Sequence, residues 1–178
     1  MASVNIARPD PSEYVTYFAQ YIDKVPDGDV LALLARQVEE TASALAKLSE
    51  KAAGFRYAPG KWSIKEIVGH VADTERIFVY RALCFARGEK QSLPGFDENS
   101  YVAGARFDAR RLADHLAELR AVRAATLAFF SGLDAEELLR RGTANERQYT
   151  VRAIPFIVAG HERHHVGVIR ERYLPRVA

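Results

Sequence analysis

The strongest constraint on the fold is a set of four long stretches whose apolar residues recur every three or four positions. The first runs from Asp29 to about Ala53, with Leu31, Leu34, Val38, Ala42, Leu45 and Leu48 on one side. The second opens with a Ser63-x-x-Glu66 capping box, in which each side chain satisfies a free backbone donor. It continues through Ile64, Ile67, Val68, Val71, Ile77, Phe78 and Phe85 to Gly88. The third covers Asp108 to Ser131, and the fourth covers Thr150 to Leu174, where Pro175 closes it. A period near 3.6 is that of a helix with one buried face. The best β-like fragment, Tyr149-Thr150-Val151, is too short to compete. Four apolar stripes that must cover one another predict an all-α four-helix bundle.

Between the stripes the punctuation is sparse. Residues 1–28 read as a lead-in. An irregular start through Arg8-Pro9-Asp10-Pro11 precedes a short amphipathic piece, Ser12 to Val25, with Tyr14, Tyr17, Phe18, Tyr21 and Ile22 on one face. Pro26-Asp27-Gly28 stops it, and the bundle domain is expected over residues 29–178. Asp134-Ala-Glu-Glu137 caps a short helix ending near Arg141, and a polar loop spans Gly142 to Tyr149. The connection from Glu89 to Arg106 is 18 residues long and reads as structureless. Loops of that length are uncommon in compact domains and often functional. It is also long enough to run the length of the bundle, which allows the second and third helices to be parallel.

Composition narrows the function classes. A chain of 178 residues with 48% apolar and 27% charged residues is globular rather than disordered. Twenty-five basic against 23 acidic residues give a net charge of +2, too balanced to point to nucleic acid or a membrane surface. The start lacks the apolar core of a signal peptide, and no stretch of about 18 uncharged apolar residues is present. A single cysteine, Cys84, excludes a disulfide framework and any multi-cysteine metal site. It fits the reducing cytoplasm and reads as a small buried hydrophobe.

The five histidines carry the most chemical information: His70, His115, His161, His164 and His165. His70 lies mid-way along the second helix, and three others crowd into the middle of the fourth. At about 100° per residue, positions four apart lie about 40° apart around a helix and positions three apart about 60°. His161 can therefore share a face with His164 or with His165. The line Ile154, Val158, His161, His165, Val168 is the more apolar. It favours the 161/165 pair and turns His164 to the rim, while the line through Ile157, His161 and His164 stays open. Two imidazoles at i and i+4 plus His70 from a neighbouring helix make a three-nitrogen site for zinc, nickel or iron, with one position left for water or substrate. A lone buried histidine is more often a packed core residue, so the reading depends on the convergence of all three. His115, beside Asp114 and other charges, reads as surface.

Two sharper motifs fail. His161-Glu162-Arg163-His164-His165 matches H-E-x-x-H, but Val168 and Glu171 stand where a longer zinc-protease signature needs glycine and histidine. Only 13 residues follow His165, too few to supply a distant third ligand. The E-x-x-H element of di-iron bundles needs a second copy, and Glu66 and His70 are four apart rather than three. Glu162 then reads as surface.

Three segments resemble the DinB/YfiT-like superfamily of metal-binding bundles. Trp62-Ser-Ile-Lys-Glu-Ile-Val-Gly-His70 with Asp73-Thr-Glu75 resembles its second helix. Leu93-Pro-Gly-Phe-Asp-Glu-Asn99 resembles the following connection, and Gly160-His-Glu-Arg-His-His-Val-Gly-Val-Ile169 its fourth helix. The resemblance implies a divalent metal, often zinc or nickel, on His70, His161 and His165. It also implies a homodimer and chemistry that depends on a low-molecular-weight thiol such as mycothiol or bacillithiol. The chain departs from the family where Arg-Gly-Gln often follows the paired histidines, since Val166-Gly167-Val168 stands there.

The expected function is that of a cytoplasmic metal-dependent thiol S-transferase or hydrolase acting on a small molecule. Glu66 and Asp73, near His70 on its helix, are candidate acceptors for an imidazole N–H. The 89–106 connection, with Phe96, Asp97 and Tyr101, is expected to cover the site. The rival expectation is a non-catalytic metal- or ligand-binding bundle that mediates protein interaction.

Overall fold

The computed structural model describes residues 5–177, so residues 1–4 of the lead-in and Ala178 lie outside the described residues. Four helices build the bundle: α1 (Val30–Leu45), α2 (Ile64–Ala86), α3 (Leu112–Ser131) and α4 (Ala153–Val168). The expected capping box starts α2. Ser63 Oγ accepts from the Glu66 N–H at 3.1 Å, and Glu66 accepts from the Ser63 N–H at 2.7 Å. Asp29 caps α1 by accepting from the N–H groups of Leu31 and Ala32. No helix among the described residues is long and apolar enough to cross a membrane.

Contacts along the helices give their directions. Ser63 bonds Asp108 just before α3, and further along Arg76 bonds Glu118 and Glu75 bonds Arg123. Helices α2 and α3 are therefore parallel, as the long connection allows. Trp62 meets Tyr173, while Phe78 faces Val158. Helices α2 and α4 are thus antiparallel, and their midpoints meet.

Several sequence expectations change in detail, among them the start of α3, which lies at Leu112 rather than Asp108. Helix α1 stops at Leu45, and Ser49 caps a separate turn, Glu50–Ala53, by accepting from the Ala52 N–H. The 89–106 connection is not structureless. Asp97 accepts from the Ser100 N–H at 2.6 Å and starts a helix, Glu98–Ala105, which ends at Arg106 in a left-handed conformation. The polar loop is an antiparallel hairpin of β1 (Arg141–Ala144) and β2 (Arg147–Thr150). Its turn residues Asn145 and Glu146 both have positive φ, 49° and 61°. Thr150 accordingly belongs to β2, and α4 begins at Ala153. At its far end α4 passes into a π-helical turn, Ile169–Tyr173.

The core has two apolar halves. Leu34, Phe78, Phe85, Phe130, Tyr149 and Ile157 fill one. Val38, Leu45, Ile64, Val68, Leu119 and Ile169 fill the other. Fully burying each such side chain contributes roughly 1.5–3 kcal/mol. A polar layer separates the halves. In it Arg123 donates to Glu75 (2.8 and 2.9 Å), to Glu162 (2.8 Å) and to the Leu34 carbonyl (2.7 Å). Gln37 and Thr41 each donate to Glu162 at 2.6 Å, and Thr126 donates to Glu75 at 2.7 Å. Glu162 is thus buried, not on the surface as its charge suggests. Burial opposes the Arg123 charge, but the two carboxylates outweigh it and hold the guanidinium more firmly protonated than usual. His115 is also buried rather than surface, because its Nε2 pairs with the Phe107 carbonyl at 2.9 Å. Cys84 is only half-buried against the core.

The lead-in is part of the packed structure. Buried Glu13 accepts from Thr150 Oγ1 at 3.0 Å and pairs with Arg152 at the start of α4. The backbone of Tyr21 lies against Gly160, where an added Cβ would stand 2.0 Å from the Tyr21 carbonyl oxygen. This contact brings Tyr17, Phe18 and Tyr21 to the middle of α4.

Candidate metal centre

The antiparallel crossing of α2 and α4 sets His70 opposite His161 and His165. His70 Nε2 lies 3.1 Å from His161 Nε2, and His165 Nε2 also lies 3.1 Å from His161 Nε2. All three rings offer a nitrogen within 4.8 Å of the other two. His164 turns to the rim and packs edge-on against Tyr21, with ring centres 5.9 Å apart. The i, i+4 alternative is therefore the one whose rings converge.

Burial decides the protonation of the cluster. Desolvation lowers the pKa of His70 to about 4. It lowers that of His165 to about 3, with His70 and His164 adding to the effect. His161, almost fully buried, falls well below the usual imidazole value, first through desolvation and then through the other three histidines. Three neutral imidazoles with inward Nε2 atoms are the donor set that zinc, nickel or iron takes from protein. The spacing fits as well. Bonds of about 2.0–2.1 Å put tetrahedral nitrogens about 3.3–3.4 Å apart and octahedral neighbours about 2.9 Å apart, which bracket the 3.1 Å separations of His161 from His70 and from His165.

The residues that orient the cluster differ from those expected. Glu66 is committed to the cap of α2 and to Arg56 at 2.9 Å. Asp73 pairs with Arg76 at 3.0 Å. Neither reaches an imidazole. Thr74, one turn after His70, places Oγ1 3.4 Å from His70 Nδ1 instead. Trp62 lies over the His70 ring at 4.7 Å and stacks on His165 at 6.3 Å. Its backbone carbonyl accepts from the Tyr173 hydroxyl at 2.6 Å, which ties the start of α2 to the end of α4. On the other flank Tyr21 meets His161 edge-on at 5.4 Å.

Above the histidines opens a cavity of about 300 Å³. Its walls are largely aromatic, from Tyr17, Phe18, Trp62, Phe78 and Phe96, with Arg81 and Arg147 among them. The 89–106 connection covers the site in part, through Phe96 and Glu98. Asp97 instead caps its helix, and Tyr101 stands mostly in solvent against Phe96. Tyr17, Phe18 and Tyr21 were legible as one amphipathic face, but nothing local aimed that face at the histidines.

No curated protein matches the chain in sequence. Among solved structures, YfiT from Bacillus subtilis superposes with a TM-score of 0.75 at 18% identity, over 94% of this chain and 95% of that one. YfiT is described as a probable metal-dependent hydrolase with an unusual four-helix bundle topology. At that identity the likeness concerns the fold. A family model spans most of the bundle, residues 33–169, and by that match the chain belongs to the DinB superfamily.

Proposed function

We propose that this chain is a metal-dependent enzyme. His70, His161 and His165 hold a divalent ion, zinc or nickel with iron as a third option. The substrate is a small molecule that would lie in the aromatic cavity on the open side of that ion. One observation carries the reading: three neutral imidazoles converge on one point, and their open side is a cavity rather than a fourth donor among the described residues. Structural zinc is closed by four protein ligands, whereas catalytic zinc keeps a position open.

Held by three neutral ligands, such an ion keeps its full charge and supplies Lewis acidity at its open side. The chain's own residues do the rest. Burial keeps the imidazoles neutral, so each offers one lone-pair nitrogen and keeps its N–H on the other. The Thr74 hydroxyl holds the far nitrogen of His70 and so fixes the ring plane. Trp62, Tyr21 and Phe78 exclude bulk water from the flanks.

Two nucleophiles fit. The description of YfiT as a hydrolase supports water. A low-molecular-weight thiol is favoured by the lining. Glu98, the one carboxylate among the lining residues, is exposed, and His164, the one lining imidazole outside the cluster, stands at the rim, so no enclosed base stands ready to take a proton from water. A thiol ionises near pH 8.5 and needs less help. In the same reading the enzyme works as a cytoplasmic homodimer, with neither nucleic acid nor membrane as partner.

Elemental analysis of native, tag-free protein tests this. The expected result is about one zinc, nickel or iron per chain, lost in His70→Ala and His161→Ala while helical circular dichroism is retained. Metal content unchanged in both variants, or no metal after reconstitution, overturns it and leaves a non-catalytic ligand- or partner-binding bundle. With metal in place, ester hydrolysis and thiol-conjugation screens separate the two nucleophiles.

A further inference from the structure

The cavity above the histidines holds two arginines that a metal has no use for. Arg81 follows His70 by 11 residues on α2. That interval returns to within about 20° of the same face, about 16 Å further along the axis. Thr74 and Phe78 fill the steps between, so one face of α2 runs from the imidazole to the guanidinium. Arg81 is only 5% exposed. Its Nη2 donates to the Pro94 carbonyl at 2.9 Å, and the guanidinium packs over Phe78 (5.5 Å) and Phe96 (5.9 Å). Arg147 comes from the hairpin and lies over the Tyr17 ring at 3.9 Å.

Most arginines of this chain pair with a carboxylate, but among the described residues neither Arg81 nor Arg147 has one within 4 Å. A guanidinium keeps its charge and carries five donors, so enclosing one with no anionic partner is costly unless an anion arrives. The buried Tyr149 hydroxyl stands beside Arg81 in the field of both arginines and finds no other partner. Against these two charges the lining offers one acid, exposed Glu98. With the histidines neutral, the lining carries a net positive charge.

We propose that Arg81 and Arg147 form an anion-binding subsite at the far end of the cavity. The substrate is a small organic anion, a carboxylate or a phosphate monoester on an aromatic or apolar body. Its charged group sits between the two guanidinium forks, which match such oxygens in a paired geometry. Its body lies against Phe18, Phe78 and Phe96, and its other end points to the histidines. Which end reacts rests on the metal reading above, whereas recognition of the anion does not.

The test is calorimetric titration of chelator-stripped protein, and of the His161→Ala variant, with 3-phenylpropionate, phenyl phosphate and uncharged 3-phenylpropionamide. At least one anion is expected to bind about 10-fold or more tighter than the amide in both proteins, and which one does so names the charged group. Arg147→Gln, at a half-exposed position, is expected to weaken that anion by about 10-fold or more with the melting temperature kept. Arg81→Lys is expected to do the same, because it keeps the charge and loses the fork. The proposal is overturned if the amide binds as well as the anions. It is equally overturned if no probe saturates by about 10 mM, or if Arg147→Gln binds the anions like the wild type. Anion binding through the arginines in a protein that never takes up metal sinks the metal reading alone. Metal uptake with no preference for anions sinks this one alone.

Discussion

Arg123 on α3 and Glu162 on α4 pair at 2.8 Å in the middle of the bundle, each side chain 1% exposed. Glu162 follows His161 directly, so this pair fixes the register of α4 at the point where two of the three clustered histidines leave it. A buried ion pair is weak evidence of net stabilisation, but removing one partner leaves a charge without compensation. Arg123→Met leaves Glu75 and Glu162 facing one another and is expected to cost about 3–5 kcal/mol, read from the urea midpoint. A loss below about 1 kcal/mol contradicts the assignment of this layer as the central tie.

Acid is expected to destabilise the metal-free protein before its carboxylates titrate. The histidine pKa values are lowered in the folded state, to about 4 for His70 and about 3 for His165. The unfolded chain binds these protons near pH 6.5, so stability is complete above that pH and falls as pH drops toward the folded values. Each histidine contributes a slope approaching 1.4 kcal/mol per pH unit, about the full linkage limit. Chemical denaturation between pH 7 and about 5 reads it. His70→Ala is expected to flatten the profile, and an unchanged slope contradicts the burial argument.

Trp62 is the one tryptophan in the chain, and it lies 4.7 Å from the His70 ring. Zinc added to stripped protein is expected to change its emission and to saturate at about one equivalent. The change is expected to vanish in His70→Ala and persist in His164→Ala. Loss of the signal in His164→Ala would show that the rim histidine takes part.

Gly160→Ala is expected to push the lead-in off α4, since its Cβ meets the Tyr21 backbone at 2.0 Å. A clash of that kind costs about 1–3 kcal/mol. Amide exchange in residues 17–22 is expected to speed up while the centre of α2 stays protected. Equal protection in both proteins argues against the docked lead-in.

Much of this architecture is legible in the sequence because apolar period and capping act locally. Ser63 and Glu66 announce α2, and the 4-3-4-3 steps through His161 and His165 point both rings inward. What is missed depends on partners far along the chain. Leu116, Leu119, Arg123, Thr126 and Phe130 also step by 3, 4, 3 and 4, and Val158, Glu162 and Ile169 share one face of α4. Read by charge, Arg123 and Glu162 belong in water. Read by period they belong in the core, and their mutual neutralisation decides for the core. The hairpin escapes because its turn, Asn145-Glu146, lacks the glycine that normally marks two successive positive φ angles. Thr74 gave no signal, since a threonine one turn from a histidine is commonplace until the ring's other nitrogen is seen to be committed.

The docking of the lead-in on Gly160 gives residues ahead of the bundle a share in the walls of the histidine cavity. The family match begins at residue 33, yet Tyr17, Phe18 and Tyr21, which wall the cavity, come before it. The three clustered histidines thus stand on helices of the bundle, while part of the cavity wall is carried by a segment clasped against it, with Phe18 and Ile22 sunk in the core. A change at the exposed edge of that segment, at Tyr17, would therefore reshape the cavity without touching the helices that carry the histidines.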